Sequence, residues 1–541
     1  MERSQKRTKN RSLSPSFLLF FSTPRAASGA AKSPEDGFLL FLPFSHFLIG
    51  FFSRDEMTTG GAPIIYGGAV DSVVARPPPA RGAVVAVAGG DRRAFGWGFY
   101  NPDSPLFRVR VMALAGQGQR GGREQQERQE EGEPSPSPFD VGALVRRRVA
   151  AAVALRRSLG LPRPGVTTAF RLVNSEGDGL SGLVVDALGG GGGDGGGEGR
   201  EKGWLVVASS AAWCEEHRAA IEEALASETG GEMGIVWTRS AAMMREEGVL
   251  EAGGEEAEEG GETAAAPSAP PPPSAPPSDE PENKTVVLEN GLRFLVTPGR
   301  GQKTGFYADQ RESRLFVRQL VEAATRGGES GGGGGGDGER TTPFRVLDLC
   351  SFHGGFALSA ARGGATEVVG VDSSAPALEV ARENARLNGF GEESVRFERG
   401  DAGDFCAAAA KRGERFDLVV LDPPKLAPTR ASLPAALRRY QSLNAAAMRL
   451  LLLLPPPAAS GSGPDARSGG GGGGGLLMTC SCSGAVAAAG AFEPMLAAAA
   501  ARAGARISVL RVAGAAPCHA LDPAYPEGRY LTSVLLRVTR A

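Results

Sequence analysis

Histidine and cysteine are both scarce. Four histidines in 541 residues leave few ligands for a metal cluster. Six cysteines, Cys214, Cys350, Cys406, Cys480, Cys482 and Cys518, are too few for a disulfide framework in a chain of this length. A reducing compartment is therefore expected, with no metal. Long apolar runs are missing too: Phe17–Phe21 is short, and Phe38–Phe52 is interrupted by Pro43, Ser45 and His46. Neither approaches the roughly 20 residues of a spanning helix, so no membrane partner is expected. The 78 glycines and 38 prolines are in excess, but the glycines gather in runs such as Gly189–Gly193, Gly331–Gly336 and Gly469–Gly475 with no three-residue period. That excludes collagen and marks insertions.

The formal charge of −2 hides an asymmetry. The stretch Glu251–Glu282 holds nine acidic side chains and no Lys or Arg, and without it the chain carries +7. The remainder is mildly basic and suits an anionic partner. The first 34 residues contain seven Lys/Arg and one acid. Residues 1–56 thus read as an organellar transit peptide, for a chloroplast or mitochondrion, or as a misassigned start with Met57 as initiator and a cytoplasmic destination.

The length allows three or four domains. Residues 57–115 alternate β-rich pieces (Ala83–Val87, Gly96–Tyr100, Phe107–Ala113) with Gly and Pro turns, as in a small β-barrel. Residues 116–138 are polar and end in alternating Pro and Ser, as a linker does. Residues 139–300 form a small central α/β domain. It opens with a basic amphipathic helix over Val141–Leu159, continues with strands at Gly182–Val185 and Trp204–Ala208 and a helix near Glu215–Ala226, and ends in a hairpin through Glu289-Asn290-Gly291. Inserts at 188–202 and 251–282 read as disordered.

Residues 301–541, with inserts at 327–341 and 455–475, alternate strand and helix signals. Arg345–Leu349, Glu367–Val371, Ser394–Glu398, Leu418–Leu421 and Leu476–Thr479 suit buried parallel strands. Helices are expected at Phe356–Arg362 and Pro376–Leu387, the latter capped by Ser374 and stopped by Gly389. This is a doubly wound, Rossmann-like α/β sheet, which binds ligands beyond the carboxyl ends of its strands.

The informative residues lie at those ends. Asp348 is followed by Gly354 and Gly355, whose missing Cβ atoms let backbone approach a ligand, while an acid there can hold a cationic amino group. Asp372, 24 residues on and next to Ser373, can accept two ribose hydroxyls, and Asp401 can receive an adenine amine. Three acids at successive strand ends point to an adenosyl ligand. Asp422-Pro423-Pro424-Lys425 follows the fourth strand, where two prolines fix the direction of the carboxylate. Thr479-Cys480-Ser481-Cys482-Ser483-Gly484 follows the fifth, and alternation sends Cys480 and Cys482 to one face with Ser481 opposite. Cys214, Cys350 and Cys406 read as inert core; Cys482 sits beside Asp422 at the mouth of the crevice.

With these residues in place, the chain resembles the RlmI-like family of S-adenosylmethionine-dependent RNA methyltransferases, which make 5-methylcytosine in large-subunit ribosomal RNA. The resemblance runs from about Tyr66 to Val538 outside the inserts. It rests on Gly96-Trp97-Gly98-Phe99-Tyr100-Asn101-Pro102, on Arg171–Leu180, on Asp522–Leu531 and above all on Gln302-Lys303-Thr304-Gly305-Phe306-Tyr307-Ala308-Asp309-Gln310-Arg311. It implies a PUA-like RNA-binding barrel, a central α/β domain and a methyltransferase domain. The cofactor is S-adenosylmethionine, with Tyr307, Asp309 and Arg311 added to its site. Cys350 and His353 stand where the family commonly has an aromatic and a Thr.

The implied mechanism has the Cys482 thiolate add to cytosine C6, so that C5 can take the methyl group; a base then removes the C5 proton and the thiolate leaves. Asp422, protonated or sharing a proton with the ring, stabilises charge at N3 and fixes the N4 amine. Two alternatives stay open: a methyltransferase directed at nitrogen, such as guanine N2, against which Lys425 stands where such enzymes place an aromatic, or an inactive RNA-binding assembly factor. For the oligomeric state, a homodimer is one option.

Overall fold

Apolar residues at alternate positions of the carboxy-terminal strands divide cleanly between two cores, and this alternation builds the domain that carries the strand-end acids. The computed structural model describes residues 46–50, 63–75, 77–89, 94–104, 106–114, 140–190, 202–239, 244, 247, 284–299, 304–326, 343–427, 429–453 and 474–541. The strands of the domain are β13 (Arg345–Leu349), β14 (Glu367–Asp372), β15 (Val395–Arg399), β16 (Leu418–Leu421), β17 (Gly474–Ser481), β18 (Ala505–Ala513) and β19 (Thr532–Arg540), numbered after the twelve that precede them. Leu347, Leu349, Val369, Val371, Val419, Leu421 and Leu477 enter one core; Val346, Val368, Leu418, Val420, Met478 and Cys480 enter the other. Both faces are buried, which is why these strands read as nearly continuous apolar runs.

The order is β15-β14-β13-β16-β17-β19-β18. The first five strands run parallel, and β19 pairs antiparallel with both β17 and β18. The order reverses between β13 and β16, so the ligand crevice belongs at their carboxyl ends. One face is covered by helices α4 (Arg311–Arg326), α5 (Gly355–Arg362) and α6 (Ala375–Leu387), the other by α7 (Ala402–Arg412), α8 (Leu433–Leu451) and α10 (Phe492–Ala503); short α9 (Gly484–Ala488) follows β17. The α6 cap is as expected, with Ser374 Oγ accepting the Ala377 amide, and Gly389 lies past the end at φ +76°.

The central segment holds α1 (Val141–Ser158), α2 (Ala212–Glu216), α3 (Arg218–Thr229) and a mixed sheet of β7 (Ala169–Asn174), β8 (Leu183–Leu188), β9 (Trp204–Ser209) and β10 (Gly234–Arg239) in the order β10-β9-β8-β7. The hairpin is β11 (Thr285–Glu289) and β12 (Leu292–Val296), and both turn residues, Asn290 and Gly291, have positive φ, as a tight hairpin turn requires. Amino-terminal to these lies a mostly antiparallel sheet of β1 (His46–Gly50), β2 (Ile64–Tyr66), β3 (Val70–Ala75), β4 (Val84–Ala88), β5 (Ala94–Tyr100) and β6 (Phe107–Leu114), ordered β2-β6-β5-β4-β1-β3. It is tied to the central segment through a buried ion pair, Arg110 Nη2 to Glu247 Oε1 at 2.6 Å.

One strand falls where a leader was expected. His46–Gly50 pairs antiparallel with β3 and parallel with β4, inside residues 1–56. The broken apolar run Phe38–Phe52 was too short for a spanning helix, but five residues suffice for a strand that two neighbours hydrogen-bond. Met57, the linker at 116–138, the insert at 251–282 and the insert at 327–341 lie outside the described residues, as do most of those at 188–202 and 455–475.

Candidate active site

The loop after β13 supplies the first wall. Cys350 (φ +62°), Phe352 (φ +48°) and Gly354 (φ +83°) alternate through left-handed backbone, a conformation that costs about 1 kcal/mol or more at each non-glycine position and that gathers at functional sites. Asp372, at the end of β14, holds this loop: its Oδ2 accepts the Phe352 amide at 2.9 Å and its Oδ1 the Ser374 amide at 2.9 Å. Cys350 is half-buried, packed against the core at the edge of the crevice. Burial, then the carboxylates of Asp372, Asp422, Asp348 and Asp401, push its thiol up. Four aspartates from four strand ends thus converge around one loop.

The acids differ in what they already bind. Asp348 is fully buried; Oδ2 accepts the Ala357 amide of α5 at 2.9 Å, and Oδ1 is buried with no hydrogen-bond partner. Burial raises its carboxyl well above the usual range. Asp401 caps α7 through Gly403 (2.7 Å) and Asp404 (3.1 Å), and its other oxygen meets Arg439 at 2.8 Å. The adenine amine expected there would have to share these oxygens. Ser373 is exposed, and its carbonyl accepts from Arg399 at 3.1 Å.

The two glycines of the first loop also have a packing role. A Cβ on Gly354 would lie 2.9 Å from Phe397 Cζ, and one on Gly355 2.8 Å from Arg314 Nη1. What they admit is close packing of α5 against β15 and α4. Arg314 in turn donates to the Tyr307 carbonyl and contacts Glu289 at 3.3 Å, fixing the turn on which Tyr307 stands. The Tyr307 ring meets Phe352 edge-on at 5.2 Å, and Phe352 stacks on His353 at 3.7 Å. Burial, then Cys482, raises the Tyr307 phenol, and burial lowers His353 to about 4, keeping it neutral.

The second wall joins the ends of β16 and β17. Asp422 is half-buried, and its Oδ2 accepts Gln310 Nε2 at 3.1 Å. Cys482 is half-buried with Sγ 3.9 Å from the Pro423 carbonyl, so thiol and carboxylate flank the same opening. Ser481, opposite as alternation required, reaches the buried Tyr440 hydroxyl at 3.1 Å; Tyr440 also meets Ser483 Oγ at 3.2 Å, and Ser483 Oγ accepts the Ala427 amide at 3.2 Å. This bridge locks the cysteine turn onto the Asp422-Pro423-Pro424 loop. Cys480 is fully buried against Ser533 (3.3 Å), and burial pushes its thiol well up.

Asp309 and Arg311 have their hydrogen-bond partners on another segment, although Asp309 acts on the Tyr307 phenol together with Asp422 and Asp372. Asp309 Oδ2 accepts the Tyr530 hydroxyl at 2.7 Å, and Arg311 Nη1 reaches Cys518 Sγ at 3.5 Å, so both clamp the closing segment 516–530. Gln310, Tyr440 and Ser483 are the positions that sequence reasoning did not single out. The Gln310 signal was its place in the Gln302–Arg311 stretch, of which 302–303 lie outside the described residues.

An adenosyl sulfonium cofactor fits this lining on chemical grounds. The converging groups are hydrogen-bond acceptors, one oxygen of Asp348 is buried without a donor, and the carboxylates favour a cation. Among the described residues no His/Cys/Asp/Glu group could hold a metal, and no helix is long and apolar enough to cross a membrane.

Comparison with known proteins supports this reading. A family model described as "Methyltransferase domain" matches residues 342–454. In fold, an S-adenosylmethionine-dependent methyltransferase from Streptococcus mutans superposes with a TM-score of 0.59 at 14% identity, over 91% of this chain and 99% of its own. The ribosomal RNA large subunit methyltransferase I of Aeromonas salmonicida is 33% identical over 391 residues, 72% of this chain and 79% of the relative. That of Photobacterium profundum is 30% identical, over 71% and 78% respectively. The chain therefore belongs to the ribosomal RNA large subunit methyltransferase I family.

Proposed function

We propose that this methyltransferase transfers a methyl group from S-adenosylmethionine to C5 of a cytosine in large-subunit ribosomal RNA through a covalent bond to Cys482. The observation that carries the reading is the Cys482 thiol at the carboxyl edge of the sheet, 3.9 Å from the Pro423 carbonyl and beside Asp422. A nitrogen-directed enzyme needs no thiol there. The bound cofactor supplies an electrophilic methyl group. Asp348 would hold its amino group, Asp372 its ribose hydroxyls, and Asp401 its adenine amine through lone pairs left over by the α7 cap and Arg439.

Cytosine C5 is a poor nucleophile, so the Cys482 thiolate adds to C6 and electron density moves to C5 and N3. Asp422 gives a proton to N3 and accepts from the N4 amine, stabilising the charge that addition creates. After methyl transfer a base takes the C5 proton, and the C6–S bond breaks. To reach the pocket the base must leave its stack, at a cost of a few kcal/mol that a loop or unfolded RNA reduces.

The amino-terminal sheet is assigned as a PUA-like RNA-binding barrel and the central sheet as a small α/β domain. The exposed arginines of α1, Arg146, Arg147 and Arg157, support an anionic partner. An organelle is the proposed destination.

Bisulfite sequencing of organellar and cytosolic ribosomal RNA, with and without the protein, tests the product: one protected cytosine should depend on it. Replacing Cys482 with Ala should abolish transfer, and full activity would establish the nitrogen-directed alternative instead. Calorimetry with S-adenosylmethionine separates both from an inactive assembly factor, which would give no heat of binding.

A further inference from the structure

The Gln302–Arg311 stretch carried most of the resemblance, yet the chemistry above draws no residue from it. Its end is a 3-10 turn, Ala308–Gln310, leading into α4. Asp309 and Arg311 clamp the closing segment, while Gln310 between them turns toward Asp422. Gln310 is 4% exposed; Nε2 donates to Asp422 Oδ2, and Oε1 is buried with no hydrogen-bond partner. A buried polar atom left unpaired is destabilising, so a mere space-filler would be better served by an apolar side chain.

We propose that Gln310 is a positioning residue that keeps hold of Asp422 in both of its protonation states. The inference rests on the reading in which Asp422 exchanges a proton with ring N3. That proton passes from the carboxyl to N3 as the C6–S bond forms and returns as the bond breaks, while the C5 proton leaves separately to a base. Asp422 is therefore an acid before addition and a carboxylate after it. A primary amide is a donor at one end and an acceptor at the other. With Asp422 ionised, Nε2 donates to Oδ2, the arrangement observed; with Asp422 protonated, a half-turn of the amide offers Oε1 to the acid O–H. Lys or Arg could hold only the ionised form, and Met neither.

The titratable groups facing Asp422 are Tyr307 on the same turn as Gln310, Asp348 at the end of β13, Cys350 on the following loop, Cys480 on β17, and Cys482 across the opening. The Tyr307 hydroxyl, the protonated thiols and, when protonated, Asp348 also carry a donor and an acceptor, but each hangs from a different point of the fold; the hydrogen bond to Asp422 Oδ2 at 3.1 Å comes from Gln310.

Two variants test the proposal, assayed by methyl transfer to a ribosomal RNA fragment. Gln310→Met keeps the volume and removes both polar ends; kcat should fall about 10²-fold, with KM for RNA and the calorimetric affinity for S-adenosylmethionine close to wild type. Gln310→Glu, when protonated, resembles the amide, and when ionised it sets a second carboxylate against Asp422. Its activity relative to wild type should therefore fall about tenfold or more between roughly pH 5.5 and 8. Wild-type kcat in Gln310→Met, or a wild-type pH profile in Gln310→Glu, overturns the proposal. Should Gln310→Met fail to fold, the pH profile of Gln310→Glu decides alone. A wild-type enzyme that yields no 5-methylcytosine overturns the functional reading itself, a result that needs neither variant.

Discussion

The Tyr440 hydroxyl lies 3.2 Å from Ser483 Oγ, and through that contact a residue in the middle of α8 governs where the neighbouring Cys482 points. The same hydroxyl meets Ser481 at 3.1 Å, so the residues on either side of the thiol share one anchor. Tyr440→Phe leaves both serine hydroxyls buried with one partner fewer. Stability should fall by about 1–2 kcal/mol in urea melts. Methyl transfer should slow about tenfold or more, because the thiol turn loses its registration against Asp422. Unchanged kcat with reduced stability would confine Tyr440 to packing.

The two cysteines of β17 and its following turn should separate cleanly. Cys480 is buried beside Ser533 and Met478, whereas Cys482 is half-buried at the opening. Cys480→Ala should cost about 1–2 kcal/mol by leaving a small cavity, yet retain methyl transfer. In the native wild-type protein a thiol-alkylating reagent should label Cys482 well before Cys480, read by peptide mass spectrometry. Equal labelling would mean that Cys480 is the more accessible thiol and that the nucleophile needs reassignment.

Much of this site is legible from local sequence because strand-end position is a local property. A run such as Val346–Leu349 buries both faces, and whatever acid closes it must stand at the carboxyl edge. What escapes is any role set by a distant partner. Gln310 and Asp422 are 112 residues apart and Tyr440 and Ser483 43 apart, and no periodicity links them. Gly354 and Gly355 stand out in the sequence as close-approach positions, but their packing against Phe397 and Arg314 is set by the fold. Asp309 and Arg311 sit in a telling stretch, yet their partners Tyr530 and Cys518 lie more than 200 residues away, which only the fold reveals. The strand His46–Gly50 was missed because its pairing partners, not its own composition, make it a strand.

Acid should find a weak point at His353. Burial depresses its pKa to about 4, from 6.5 in the unfolded chain. The unfolded state therefore binds the proton first, so stability is full above about pH 6.5 and is lost as pH falls toward 4, by up to about 3 kcal/mol. His353→Thr, the residue common at this place in the family, removes that term. Urea melts near pH 7 and pH 4.5 should show a smaller acid loss in the variant than in wild type. Equal losses would mean that His353 is already solvated in the folded protein.

Asp348 separates cofactor binding from stability in opposite directions. Its Oδ2 holds the Ala357 amide and its Oδ1 is buried with no partner, while burial raises its carboxyl well above the usual range. A carboxyl raised in the folded state binds protons that the unfolded state has released, so its contribution falls as pH rises out of the acidic range. Asp348→Asn keeps an oxygen for the Ala357 amide, removes that pH-dependent cost, and puts an N–H donor where a ligand's amino group would need an acceptor. The variant should melt at or above the wild-type temperature at pH 8, yet bind S-adenosylmethionine about tenfold or more weakly by calorimetry. Higher stability with undiminished affinity would make Asp348 a helix cap alone and move the amino-group contact to another of the converging aspartates.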